Sequence, residues 1–306
     1  MNLDINWLED FLALSETRNF SRAATLRHIT QPAFGRHIRS LEAFVGQTLV
    51  DRSTTPVTLT QAGRQFRPVA NNIVKYIEEG VSVLKDSHQS FFKPVRINSP
   101  HMLASSSLLD LMDMVEGCPA FKVDILRVDY AVESLTEGDC DFLVAFEMSA
   151  LLQPPFKNMI LGRGDYLLVC AAKPDGEPLF SPNEGRVPFL QYSSESFSAR
   201  LIERHSSVQP DIMVNPIFET SMGDLQKKMV LRGRGVAWIP DCLIKDELEQ
   251  GKLVAIKPEV CRIPYQIRIY RNTSPLSQEA ENLWNKLAEK IAHNWLLITP
   301  WYDESQ

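Results

Sequence analysis

The chain has 306 residues, 44% hydrophobic and 23% charged, with a formal net charge of −6. That length exceeds one ordinary domain and allows two or three cores, and the composition is globular, which excludes a disordered or fibrous chain. No window approaches the apolar run that spans a bilayer, and the opening MNLDINWLED is acidic without the pattern of a secretory leader; a soluble, cytoplasmic chain with no membrane partner is expected.

In chain order, Ile5, Trp7, Leu8, Phe11, Leu12 and Leu14 form a helical stripe over residues 5–16. Ser21 can cap a short helix carrying Ala23, Ala24 and Leu26. Thr30 ahead of Gln31-Pro32 marks another helix start, with Ala33, Phe34, Ile38, Leu41 and Val45 on one face. Arg36, His37 and Arg39 lie off that face. Two short helices, the second opening on a polar, arginine-bearing turn, describe a helix-turn-helix.

Charge supports this. Between residues 18 and 67 stand eight arginines (18, 22, 27, 36, 39, 52, 64, 67) against Glu42 and Asp51, a local +6 inside an acidic chain. Such an island is the electrostatic footprint of a phosphate-binding face, and the alternative is a helical bundle with solvated arginines. Residues 49–59 hold two short β-prone pieces around Ser53-Thr54-Thr55-Pro56, a wing with Arg52 at its base. A long helix follows to about residue 91, with Phe66, Ala70, Ile73, Ile77, Val81 and Leu84 spaced as a near coiled-coil seam that calls for a partner copy. Pro68 is expected to kink it.

Ser21-Arg22-Ala23-Ala24, Thr30-Gln31-Pro32-Ala33, Arg36, Ile38, Leu41-Glu42, Gly46, Leu49, Arg52 and Leu59-Thr60-x-x-Gly63 resemble, in order over about sixty residues, the LysR-type transcriptional regulators. Thr30 and Gly35 stand where that family usually has serine, and Val50 where it has phenylalanine. The resemblance implies promoter double-stranded DNA as partner, with Ser21, Gln31, Pro32, Gly35, Arg36, Arg39, Arg52 and Thr54 as DNA-binding residues. It also implies dimers through the long helix, tetramers through sensor domains, and no catalysis.

After residue 93 the pattern is α/β. Strands are expected at 95–98, 121–128, 142–146, 166–172, 189–192, 212–219, 236–239, 253–256 and 265–271. Helices are expected at 99–114, 132–136, 197–205, 222–231, 241–249 and 277–297. That alternation argues for parallel sheets covered on both faces. The fold class is thus α/β, with an all-α winged helix-turn-helix N-terminal domain (residues 1–60) and a dimerisation helix (61–92). The resemblance implies that residues 93–306 form a two-lobe, periplasmic-binding-protein-like α/β sensor. Lobe I is residues 93–160 and 267–306, and lobe II residues 161–266. Here the likeness rests on Leu135-x-x-Gly138-x-x-Asp141 and Gly233-x-Gly235-x-Ala237-x-x-Pro240.

In such a domain ligands sit beyond the carboxyl ends of strands, where helix N-termini point inward. Ser99, Pro100, His101 and Met102 open one helix. Thr220, Ser221 and Met222 open another, with Asp224 in a near capping-box position. Tyr192, Ser193, Ser196 and Phe197 approach the same crevice, and Asp129 and Tyr130 are its opposite wall. Free N–H groups and hydroxyls favour a small polar or anionic effector. Met102 and Met222 raise an alternative signal, a hypochlorite-type oxidant acting through methionine or cysteine oxidation, since residues 218–240 also resemble the hypochlorite-responsive branch of the family. The five cysteines (118, 140, 170, 242, 261) form no C-x-x-C, and the six histidines have no ligand spacing, so no metal or cofactor is expected. Gly233-x-Gly235 reads as a helix C-cap rather than a nucleotide loop. The rival class is a cytosolic solute-binding protein or α/β enzyme with an inert helical appendage, which leaves the basic island unexplained.

Overall fold

In a computed structural model, residues 3–85, 94–113, 120–126, 128–180, 185–205 and 213–302 are described. The N-terminal unit begins with α1 (Ile5–Thr17), α2 (Phe20–Leu26) and α3 (Gln31–Val45), followed by the antiparallel wing strands β1 (Val50–Asp51) and β2 (Thr58–Leu59). Leu8, Phe11, Leu14, Ala23, Ala24, Phe34, Ile38 and Leu41 bury their side chains in one core with Leu49 and Val50. Two caps differ from expectation. Asn19, not Ser21, caps α2 by accepting from the Arg22 amide at 3.0 Å, while the Thr30 hydroxyl makes no cap bond. His37 also turns inward, its Nδ1 2.6 Å from buried Asp10, which accepts from Arg27 Nε at 2.8 Å as well. One acid thus ties three helices together.

The connection to the wing explains several motif residues. The Glu42 carboxylate accepts from the backbone amides of Leu49 and Val50 and from the Arg52 guanidinium at 2.7 Å, fixing the exit from α3. Thr60 donates to the Thr48 carbonyl and accepts from the Gly63 amide, and a Cβ at Gly63 would collide with the Leu49 carbonyl.

The long helix α4 (Gln61–Lys85) runs unbroken through Pro68; its expected continuation over residues 86–91 and the domain boundary at 92–93 lie outside the described residues. Its apolar stripe divides. Phe66, Ala70 and Ile73 pack into the N-terminal core with Val74, whereas Tyr76, Ile77 and Val81 are 63%, 43% and 43% exposed. The first half of the proposed seam is therefore internal, because α1 already covers it. The side chain of Leu84 is outside the described residues.

The second unit comprises β3 (Val95–Ser99), α5 (His101–Leu103), a π turn (Ala104–Leu108), α6 (Leu109–Asp113), β4 (Phe121–Ile125), α7 (Val128–Glu137), β5 (Phe142–Phe146), β6 (Phe156–Ala171), β7 (Val187–Tyr192), α8 (Phe197–Arg204), β8 (Val214–Thr220), α9 (Gly223–Leu231), β9 (Ala237–Pro240), α10 (Asp241–Glu249), β10 (Leu253–Ala255), β11 (Arg262–Asn272) and α11 (Gln278–Ala292). A seven-stranded sheet orders β10-β6-β11-β5-β3-β4, with β9 also on β6; β7 and β8 form a separate parallel pair. The all-parallel expectation is corrected. β3 pairs parallel with β4 and β5, but β6 and β11 pair antiparallel with each other, and β11 pairs antiparallel with β5. These two long strands pass between the two lobes, and a return strand must run backwards.

β6 also starts ten residues before the expected 166. Its first half is interrupted by Gly162 and Gly164, which mask the strand pattern but are required by packing. A Cβ at 162 would lie 2.8 Å from the Ile298 Cβ, and one at 164 would overlap Asp241 and Tyr265. The expected last helix stops at Ala292; the tail instead bonds β6 through Leu297 N–H to the Leu161 carbonyl and Arg163 N–H to the Ile298 carbonyl.

Buried Asp241 accepts from Tyr265 Oη and the amides of Cys242, Asp165 and Trp301. Burial nevertheless pushes its carboxyl up, and pushes up that of Asp165, where Asp241 adds repulsion. The Asp165 carboxylate accepts no hydrogen bond from a described residue. A raised folded pKa gives stability present below the ordinary carboxylate range and lost as pH rises through the folded value. Asp165→Asn is therefore expected to stabilise the protein at pH 8 by roughly 1 kcal/mol, a few degrees in Tm, with the gain shrinking toward pH 4. Thermal unfolding at both pH values measures it, and an equal or negative change at pH 8 would refute the assignment.

Candidate functional site

Two surfaces carry the predicted chemistry. On the first, Ser21, Gln31, Pro32, Arg36 and Arg39 are all exposed, and Gly35 is half-buried with open space where a Cβ would stand. Ser21 Oγ donates to Gln31 Oε1 at 3.2 Å, joining α2 to the first turn of α3 on this face. Of the eight arginines, Arg27 is held by Glu9 and Asp10, Arg67 by Glu137 and Arg64 by the Leu59 carbonyl. Arg52, expected at the wing base facing a backbone, instead bridges to Glu42 with its guanidinium 5.9 Å from the Phe20 ring centre. Arg18, Arg22, Arg36 and Arg39 make no ion pair among the described residues. Arg18 and Arg22 line a groove with Thr55 and Pro56 between α2 and the wing. Thr54 is half-buried and its hydroxyl lies 3.1 Å from that of Thr58. The cationic face is thus narrower than the arginine count implied, because half of those side chains brace the unit. Arg18 and Arg22 were not singled out from sequence; exposure alone distinguishes them.

The second surface is a cleft of about 500 Å³ between the β3-β4-β5 half of the second unit and the half carrying α8 and α9. Pro100, His101 and Met102 line one wall; Ser193, Ser196 and Phe197 line another; Ser221 and Met222 close the third. Ser196 caps α8 by accepting from the Ala199 amide at 3.1 Å. At α9 the N-cap is Met222, without a side-chain cap bond; Thr220 Oγ1 accepts from the Met222 amide, and Ser221 stays exposed. The capping-box expectation fails because Asp224 turns away, its Oδ2 2.9 Å from His101 Nδ1.

Several expected residues lie elsewhere. Ser99 is the last residue of β3 and fully buried, donating to the Val144 carbonyl at 3.0 Å; Pro100 takes the N-cap place without a side-chain bond. Tyr192 is buried beneath the cleft, its ring edge-on to Tyr166 at 6.4 Å, and Tyr166 Oη meets Ser198 Oγ at 2.8 Å. Burial pushes the Tyr192 hydroxyl well up. Tyr130 is exposed on α7 away from the cleft lining, and the Asp129 side chain is outside the described residues. Sequence reasoning missed Ile125, Leu126, Phe146, Glu195, Ser198, Arg200 and Gly223, which also line the cleft. Ile125 and Phe146 end β4 and β5, so the rule that ligands sit at carboxyl ends of strands could have found them.

Met102 is 8% exposed and Met222 46%. Cys140, Cys170 and Cys261 are buried, and burial pushes the Cys140 thiol up to about 12. Such thiols are poor nucleophiles and poor targets for oxidants. Cys118 lies outside the described residues.

Comparison with known proteins identifies the two units that carry these surfaces. Residues 5–64 match a family model described as bacterial regulatory helix-turn-helix protein, lysR family, and residues 88–292 one described as LysR substrate binding domain. The HTH-type transcriptional regulator YjiE of Escherichia coli is 33% identical over 94% of this chain and 95% of its own. Among solved structures, Vibrio fischeri DarR in complex with DNA is 37% identical, covering 94% of this chain and 99% of that one, with a TM-score of 0.60. Full-length HypT of Salmonella typhimurium, a hypochlorite-specific regulator, is 32% identical over 95% and 99%, with a TM-score of 0.61.

Proposed function

The chain belongs to the LysR family of bacterial transcriptional regulators, and we propose that it reads a two-fold promoter site as a dimer seated on the second half of α4, governed by a small polar or anionic effector in the cleft. As a family member it is a DNA-binding regulator with an effector-binding domain and not an enzyme. Among the described residues no helix is long and apolar enough to cross a membrane.

The exposed face carrying Gln31, Pro32, Arg36 and Arg39 supports entry of α3 into the major groove, with Ser21, Arg18 and Arg22 beside a phosphate strand. Arg52, drawn to Glu42, acts as a brace that aims the wing and Thr54. Dimerisation is supported by the exposed Tyr76, Ile77 and Val81, since a two-fold protein reads a pseudo-palindromic site. Exposed Leu109, Ile217 and Leu225 on the sensor support further assembly to a tetramer.

The observation that carries the effector reading is the start of α9. Its N-cap has no side-chain bond, and with Ser221 and the Ser196-capped start of α8 it opens on one cleft. Unfilled N–H groups and two positive helix ends favour an anionic or polar group. Exposed Met222 in the same cleft favours a second reading, in which hypochlorite oxidises its thioether to a sulfoxide. A promoter reporter separates the two. Met222→Leu preserves volume and removes the chemistry, so a hypochlorite response present in the wild type and absent from this variant would replace the effector reading. The expected result is that Met222→Leu behaves as wild type. Genomic selection with purified full-length protein should recover a two-fold motif, and recovery of no motif would refute the DNA assignment.

A further inference from the structure

Three contacts cross the cleft, and they lie side by side. On the outside, His101 Nδ1 stands 2.9 Å from Asp224 Oδ2; the two side chains are 54% and 26% exposed, so this pair is wet. Next to it Met102, buried, packs its terminal methyl on Gly223, where a Cβ would overlap that methyl. Deepest, the rings of Phe146 and Phe197 stack, 5.2 Å apart and inclined by 9°. His101, Met102 and Phe146 follow or end β3 and β5; Gly223, Asp224 and Phe197 open α9 and α8. Consecutive residues of one wall therefore meet consecutive residues of the other.

We propose that this row is a clasp that holds the two halves of the sensor closed before any effector arrives, with His101–Asp224 as its releasable outer bond. The inference rests on the reading of this cleft as the effector site and adds what governs access to it. The inner contacts are apolar and non-directional, so they tolerate small sliding. The outer pair is directional and open to water, so an entering polar group can compete for either partner. Asp224 lies in the first turn of α9, where the helix dipole favours a carboxylate, and needs nothing from His101 to remain there. Its side chain reaching across rather than back to its own amides is what marks the contact as a link between walls. Gly223 permits the inner contact because it has no side chain to hold the walls apart.

The test uses full-length protein without effector or DNA, so its result does not depend on whether an effector is ever found. Amide hydrogen exchange is followed by mass spectrometry on both walls. His101→Asn touches only the first wall, yet should speed exchange at residues 223–226 on the second. Asp224→Asn should speed exchange at residues 101–104. The expected change is roughly two- to fivefold in each case, the range for losing one solvent-accessible side-chain contact. The exchanged pair, His101→Asp with Asp224→His, should return both walls to the wild-type rate. A change confined to the mutated wall would show a local helix effect and overturn the proposal, as would an exchanged pair that remains as fast as either single variant. Should the clasp pass while every polar or anionic compound fails to shift the Tm, the effector reading alone would fall.

Discussion

Alanine at both Arg36 and Arg39 is expected to reduce promoter affinity by on the order of 10²-fold at physiological salt while leaving Tm unchanged. Both side chains are exposed on α3, with no ion pair among the described residues, so removing them leaves no buried charge behind. A base contact contributes about 1–3 kcal/mol of discrimination, and a phosphate contact steepens the salt dependence by about 0.9 in log–log slope. The single variants divide these roles. A side chain on phosphate lowers affinity for all sequences alike and flattens the slope; one on a base edge relaxes preference at one position. Arg27→Ala is the contrasting control. It strips Asp10 of a partner in the core and should cost stability before it affects recognition. Fluorescence anisotropy across a salt series checks the double variant, and wild-type affinity would remove α3 from the groove.

That contrast shows what the sequence could and could not disclose. The basic island was visible as composition, but composition cannot tell an arginine facing a groove from one facing Asp10 or Glu42. Both placements depend on acids 10 to 18 residues away, and only the packed core brings them together. The motif residues were recognisable as a resemblance, whereas their reasons are tertiary: Glu42 caps the wing strand, and Gly63 lies under the Leu49 carbonyl. In the sensor, amphipathic periodicity located α8, α9 and α10 within a residue or so, because their signals are local. It failed at β6, where Gly162 makes room for the distant tail at Ile298 and Gly164 for Asp241 and Tyr265. It failed again at Ser99, where a serine before proline has the local signature of a cap. The strand carries that hydroxyl into the core, and Val144 offers it a carbonyl. The cleft was found from its helix starts and missed on its apolar floor, since Phe146 and Ile125 look like ordinary strand residues until two strand ends face one space.

Ile77→Asp is expected to dissociate the dimer. The apolar stripe of α4 begins as part of the N-terminal core, with Phe66, Ala70 and Val74 covered by the same chain, and then continues past the cover as Tyr76, Ile77 and Val81. A polar flank of the helix is meanwhile fixed to the sensor: Arg67 pairs with Glu137, Lys75 with Asp139 at 2.7 Å, and Asn71 Nδ2 donates to the Glu137 carbonyl. With that flank held, Tyr76 and Ile77 stay exposed at the edge of a groove that Pro94 and Pro275 also line, and Gly80 leaves room for a second backbone to approach. In the single chain an aspartate at 77 meets water and costs little. In a dimer it is buried without a partner, at about 3 kcal/mol or more, which is on the order of 10²-fold in the dimer constant. Sedimentation should show monomers at concentrations where the wild type is dimeric. DNA affinity should fall with it, because two half-sites are then bound by separate molecules rather than one. The far-UV circular dichroism spectrum should stay that of the wild type while Tm falls by the stabilisation the dimer supplied, which separates loss of a partner from loss of fold. A variant that remains dimeric with unchanged affinity would show that this stripe is not the seam, and would move the two-fold contact to the sensor.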